Sequence, residues 1–484
     1  MKPSLLKELL LYRYRYVIGY GLFAIMLLAL LGTDVTRVPY GISQAEMKSV
    51  VASNALNLQA ITSADIINLP YHALQKVSVS VLGLSPLGIR LPSLILGFLA
   101  ALALAATLNK WFRPGIALLA LLIGATSVPF ISMARTGTST MLYMLLLLLI
   151  LLSAAWLTSR GRGTFFCKLV VLVCGLLLCY MPLGIYAILA LLIAGMLHPH
   201  VRYQIKRTQW WQFLVLLLLG GGLAVPLILT GIREPEIIET LLGIDNLSNR
   251  LTLSSMLAAA ASLAKTFFLF HRPHVGEIIT PFVTLPFALF SIFGFVKVLQ
   301  DRHSARSYLL IIWLAAALLL LSLHPNQYAL LFVPLLILLA IGLDTFLHEW
   351  YRLFPHNPYA RIIALLPLGL ITIGMLAISS TRYFYGYLYT DTTASYHPEL
   401  TAVNRSIQPV TPTRLIVPND QKAFYEILRQ KHPQVTVAGP GEIQDGATNV
   451  VLARAGSIEG KTPSRIVTSY FRNNSVLLRV YAPE

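Results

Sequence analysis

Charged side chains are scarce in this chain, and the few that could do chemistry fall where its long apolar runs are interrupted. Asp34 and Glu46 lie in the segment 33–89, with Asp65 further along and Arg90 at its end. Arg135 follows another apolar run, His271, Arg272, His274 and Glu277 sit together, and His324 stands in a short turn before Pro325. A carboxylate at the edge of an apolar phase is a candidate general base. A guanidinium pairs with phosphate or carboxylate oxygens through two parallel hydrogen bonds. Two imidazoles and a carboxylate are a partial metal set, although 271–277 offers no fourth ligand and Pro273 divides it. Each residue also has a plainer reading. Glu46 and Asp65 suit helix N-termini, where the dipole favours an acid. Asp34 marks a membrane boundary, Arg90 and Arg135 can snorkel to headgroups, and His324 can cap a helix. Lys76 reads as a headgroup contact and Tyr328 as an interfacial anchor.

The elements that must position these residues are membrane helices. Of 484 residues, 56% are hydrophobic and only 12% charged, against about a quarter charged in a soluble domain. Spanning a bilayer takes about 20 apolar residues. Spans are expected near 16–33, 90–108, 115–133, 139–157, 168–181, 183–197, 211–230, 278–296, 307–323, 328–346 and 362–380. The 168–197 run is divided at Pro182. The connecting segments sort by charge. Lys2, Lys7, Arg13, Lys110, Arg113, Arg160, Arg162, Arg202, Lys206, Arg207, Arg302 and Arg352 fall on one side, with Glu8, Asp301, Asp344 and Glu349 as its only acids. By the positive-inside rule that side is cytoplasmic, the N-terminus is inside as a retained signal-anchor, and the tail is outside. The net charge of +17 thus follows topology and suits an anionic lipid surface; it forms no stripe for nucleic acid.

Two long segments then share the outer face. The first, 33–89, is expected to carry two surface-lying helices at 44–58 and 72–83. The second, 231–277, includes the stretch 251–270, read as an interfacial helix because Lys265 is costly at mid-membrane. Cys167, Cys174 and Cys179 are expected to be packing residues. The aromatic run 383–389 suits the outer interface. Residues 1–390 are read as the transmembrane domain and 391–484 as a small α/β extracytoplasmic domain. Its expected strands are at 414–418, 434–439, 449–454, 464–471 and 475–482, with a helix at 420–432.

Leu82–Ser85, Gly88–Ser93, Pro70–Tyr71, Ala134–Arg135, Arg272–Pro273 with Pro281, and His324–Pro325 with Tyr328 and Pro334 occur in an order that resembles the GT-C superfamily. The likeness is to membrane glycosyltransferases of the protein O-mannosyltransferase and lipid A aminoarabinose transferase group, over roughly residues 15–380. The resemblance implies a polytopic helical fold and a polyprenyl-phosphate-linked sugar as donor. The acceptor would be a lipid, glycan or protein on the outer face of a plasma membrane. It also implies an acid in the first outer loop that acts on the acceptor or helps bind a divalent metal, and basic residues that hold the lipid phosphate. Carried onto this chain, those are Glu46 and Asp34 as catalytic acids, and Arg90, Arg135, Arg272, His271 and His324 as phosphate or substrate ligands. The chain departs from the group where an Asp-Glu pair is expected, because Ser43–Gln44 stands there, and Thr136–Thr140 lacks the second expected acid. A catalytically inactive relative acting as a scaffold or partner subunit is therefore the alternative. A transporter finds little support, since the spans carry almost no charge and show no repeat.

Overall fold

The computed structural model describes residues 14–57, 66–158, 163–244, 252–268, 279, 281–324, 327–353, 356, 358–389, 393, 395–407, 411–442, 446–458, 460–469, 471 and 475–482. Among the described residues, seven helices are long and apolar enough to cross a membrane. They are α1 (Arg15–Gly32), α4 (Pro86–Trp111), α7 (Thr140–Thr158), α11 (Trp210–Arg233), α15 (Ala305–Leu323), α16 (Ala329–Leu353) and the apolar part of α17 (Pro358–Tyr389). Two further crossings are available as bent pairs: α5 (Pro114–Ala125) with α6 (Val128–Arg135) at 61°, and α9 (Gly184–Leu197) with α10 (Pro199–Lys206) at 93°. The shorter apolar helices α8 (Thr164–Cys179) and α14 (Leu285–Gln300) fall on two other expected spans. The chain is a multi-pass membrane protein.

Local chemistry explains the breaks. The 115–133 segment, expected as one span, bends at Thr126–Ser127. There the two hydroxyls donate to the Leu122 and Gly124 carbonyls, closing α5, and Pro129 opens α6, where its missing N–H costs nothing. Between α8 and α9, Leu183 takes a positive φ of 62° just after Pro182, so the division expected at that proline is present. On α1, Phe23, Leu27 and Leu31 repeat every four residues and face inward, while Leu22, Ile25 and Leu28 stay exposed, as a helix with a lipid-facing side requires.

The core gathers around α7 and α16. The closest approach is between α14 and α16. A Cβ on Gly294 would run into the Leu338 carbonyl, and one on Gly342 into the Phe290 carbonyl. Without a hydrophobic effect between helices in lipid, such backbone-to-backbone packing is what holds them.

Three short helices complete the segments expected outside. In 33–89 these are α2 (Gln44–Ala55) and α3 (Leu69–Leu82), close to the expected bounds; in the second segment, α12 (Pro235–Leu242) precedes Gly243. The stretch read as interfacial forms α13 (Leu253–Phe268), with Lys265 exposed, lying against α15.

The C-terminal part begins with α18 (Glu399–Ser406). It forms a five-stranded sheet of β1 (Thr413–Ile416), β2 (Val435–Ala438), β3 (Thr448–Leu452), β4 (Arg465–Thr468) and β5 (Val476–Tyr481), in the order β2-β1-β3-β5-β4. The β2-β1-β3 side is parallel and the β3-β5-β4 side antiparallel. The helix expected at 420–432 is broken into short turns around α19 (Lys422–Glu426). This sheet domain shares a core with the 33–89 segment: Leu400, Val403, Phe424 and Leu428 pack with Ile42, Met47, Val50, Val79 and Leu84. Asn404 and Lys431 donate to the Leu84 and Val81 carbonyls, and Ile42 pairs with His397 through two backbone bonds. The apolar residues of α2 thus find their partner in the sheet domain.

Replacing Gly342 with alanine should force α14 from α16 and cost about 1–3 kcal/mol or more. A lowered melting temperature of the detergent-solubilised protein is the expected result, and an unchanged one contradicts the close crossing.

Candidate functional site

Four of the sequence-derived candidates, Asp34, Glu46, Arg90 and Arg135, meet at one turn, residues 30–41. Glu46 lies in the first turn of α2. Ser43 caps that helix: its hydroxyl accepts from the Glu46 N–H at 3.1 Å, and the Ser43 N–H donates to Glu46 Oε2 at 2.9 Å. This reciprocal box is the reason a serine stands three residues before a glutamate at a helix start. Arg90 reaches the same carboxylate from the first turn of α4, with Nε on Oε1 at 2.9 Å and Nη2 on Oε2 at 3.3 Å. The Gly137 N–H, from the turn between α6 and α7, completes the set on Oε1 at 2.8 Å.

Counting donors and acceptors decides what this carboxylate can do. It offers about four lone-pair sites, and all are taken, with Glu46 1% and Arg90 0% exposed. Arg90 has five N–H donors. Those not spent on Glu46 go to the carbonyls of Val35 at 3.0 Å, Pro39 at 3.3 Å and Gly41 at 2.6 Å. Arg135, fully buried at the end of α6, grips the same turn from the other side. It donates to the carbonyls of Leu30 at 2.9 Å, Thr33 at 2.6 Å and Val38 at 2.9 Å. Its guanidinium lies over the Tyr383 and Phe384 rings. Glu46, expected as a catalytic acid, and Arg90 and Arg135, expected as phosphate ligands, thus turn their polar atoms to the protein; only Arg135 Nε lacks a partner. Arg135 also caps the carboxyl end of α1, where a cation suits the dipole.

Asp34 stands on the turn that these groups hold. It is exposed, and its φ of 50° is in the left-handed region, which costs most residues but suits Asp. Its carbonyl accepts from the Arg37 and Val38 N–H groups. The carboxylate lies within the field of Arg135.

His324 follows α15 and packs against Gly243, the residue that ends α12 with a φ of 67°. A side chain at Gly243 would meet the His324 ring, so the second outer segment touches the turn after α15 here. Asp65, His271, Arg272, His274 and Glu277 lie outside the described residues. Among the described residues, no three His, Cys, Asp or Glu side chains converge as a metal site requires.

Several assignments differ from the sequence reading. Lys76, read as a headgroup contact, donates to the Asn54 and Leu56 carbonyls at the end of α2. In the aromatic run, Tyr385 and Tyr389 are exposed, but Tyr383 and Tyr387 are buried against Val38 and Ile131. Tyr387 accepts the Tyr40 N–H and bonds Ser132 through its hydroxyl. A second polar cluster was missed: His397 bonds Gln421 and Arg454, and Arg454 pairs with Glu399 at 3.6 Å. No spacing rule reveals it, because its members meet only when the sheet domain folds.

No family model matches the chain, and no curated protein sequence matches it significantly. Solved structures do. ArnT from Cupriavidus metallidurans bound to undecaprenyl phosphate superposes with a TM-score of 0.57 at 13% identity, covering 97% of this chain and 99% of that one. The apo state of the same protein gives 0.53 at 12% identity, covering 97% and 100%. The chain therefore shares the fold of these ArnT structures over nearly its whole length, as the sequence resemblance implied.

Exchanging Glu46 for glutamine should leave Arg90 buried beside a neutral partner and destabilise the protein by roughly 3–5 kcal/mol. Unfolding followed by intrinsic fluorescence checks this, and a loss below about 1 kcal/mol speaks against the lock. His397 gives a pH signature. Burial, then the Arg454 charge, holds its pKa down to about 4 from the ordinary 6.5, with Asp420 opposing. Stability from the neutral ring is full above about pH 6.5 and is lost as pH falls towards 4. Wild-type melting temperature should drop across that window and the drop should shrink in His397→Gln; equal profiles contradict it.

Proposed function

We propose that this protein is an integral-membrane glycosyltransferase that moves a sugar from a polyprenyl-phosphate carrier to an acceptor on the extracytoplasmic face. The observation that carries the reading is the end-to-end likeness to a transferase captured with undecaprenyl phosphate. The excess of basic residues in the loops opposite the 33–89 segment supports a cytoplasmic N-terminus and an outward sheet domain.

Within that reading the acids divide their labour. Glu46 is a positioning residue, since none of its lone pairs is open to a substrate proton. Asp34 is the base: its carboxylate is exposed on a turn fixed from below by two arginines. An acceptor hydroxyl oxygen attacks the anomeric carbon, the carbon–oxygen bond to the carrier phosphate breaks, and the hydroxyl proton passes to Asp34. The departing phosphate takes the bonding pair, and Arg272, His271 and His324 supply the compensating charge at the dry boundary.

The test is release of carrier phosphate from lipid-linked sugars by the purified protein, with and without chelator. Asp34→Asn should lower the rate by about 10²–10⁴ and leave the melting temperature unchanged. Wild-type turnover that survives Asp34→Asn overturns the assignment of the base.

One observation favours a second reading. Ser43 and Gln44 occupy the position where the related group carries acids, and Ser43 is committed to capping α2. A non-catalytic subunit would show no turnover with any lipid-linked donor and a stable partner on mild detergent extraction.

A further inference from the structure

A cavity of about 550 Å³ opens between α7, α8, α9, α11 and the start of α15, remote from the turn that carries Asp34. Its walls are almost wholly apolar, including Leu172, Gly175 and Ile188, and its volume lies in the range of sites that enclose a small ligand. Leu192 and Phe213 line it and are themselves exposed, at 51% and 62%, so it opens sideways toward lipid. One end is different. Lys168, at the start of α8, and Arg306, at the start of α15, both line it. Lys168 donates to Thr208 at 2.8 Å, and Arg306 to the Trp111 carbonyl at 3.1 Å, which leaves each with further N–H donors. Tyr308 lines the same end with a buried hydroxyl that lacks a hydrogen-bond partner, close enough to Arg202 to feel its charge.

We propose that this cavity is a binding site for an anionic phospholipid, with an acyl chain in the apolar part and the headgroup phosphate among Lys168, Arg306 and Tyr308. Charge complementarity selects the occupant. A neutral apolar molecule would leave two cations and a phenol hydroxyl without counterparts, whereas a phosphate accepts from all three. The headgroup end lies at the loops rich in arginine and lysine, the face turned to an anionic leaflet when those loops are cytoplasmic.

Gly175 gives a clean probe, because a side chain added to it meets nothing within 4 Å and so enters the cavity. Glycine is also a poor helix former, so Gly175→Leu should fold at least as well as the wild type. The full-length protein, purified from mixed micelles of phosphatidylglycerol and phosphatidylcholine, is examined by native mass spectrometry. Phosphatidylglycerol should be retained over phosphatidylcholine. That retention should fall about tenfold in Gly175→Leu and in the Lys168→Gln, Arg306→Gln double variant, as loss of a charged hydrogen bond predicts. Equal retention of the two lipids, indifference to both variants, or displacement of phosphatidylglycerol by added undecaprenyl phosphate would each overturn the proposal. The readout is binding alone, so it stands or falls apart from glycosyl transfer.

Discussion

A carboxylate and a guanidinium taken out of water must satisfy every donor and acceptor they own, and Glu46 and Arg90 do so. Desolvation makes such a pair a weak source of net stability and a strong source of geometry, because any rearrangement leaves a charge uncompensated. Their spare bonds are what matter for the fold. Arg90 spends three N–H groups on carbonyls of the 33–41 turn, Glu46 takes the Ser43 and Gly137 amides, and Arg135 holds the preceding carbonyls back to Leu30. Four separate pieces of chain (the end of α1, the start of α2, the start of α4 and the α6–α7 turn) therefore meet at one point.

The sheet domain is docked through that same point. Ile42, next to the capping serine, pairs with His397, and Tyr40 bonds Tyr387 and Ser469. The turn bearing Asp34 is thus fixed by the arginines below and sits beside a sheet domain that shares its core with α2. In the role proposed for Asp34, a carboxylate on so fixed a backbone would lose little freedom when a substrate arrives. The proposed lipid cavity lies at the other end of the helices, with apolar walls and with Lys168 and Arg306 at its polar end.

The apolar runs were legible because hydrophobic length is a one-dimensional property, and the basic loops gave each run a direction. The helices expected at 44–58 and 72–83, found at 44–55 and 69–82, and the strands of the tail followed from period and turn residues. Glu46 was expected as an acid at a helix N-terminus, and it stands there in a capping box with Ser43. What sequence could not reveal was the meeting of Glu46 with Arg90, of Arg135 with the end of α1, or of His397 with Arg454. Those depend on how crossing helices bring distant residues together. The bend at Thr126–Ser127 was hidden for a related reason: a continuous apolar run conceals a turn whose polar groups are satisfied by two hydroxyls. His271 and Arg272 remain assigned from the order of motifs.

A double-mutant cycle on Glu46→Gln and Arg90→Gln, read as unfolding free energy, tests the account most directly. The two losses should be strongly non-additive, with a coupling near the upper end of the range of about 0.5–3 kcal/mol found for contacting pairs. The double variant should then be little worse than either single one. Losses that simply add would show that the two side chains act independently, and the turn carrying Asp34 would have lost its anchor.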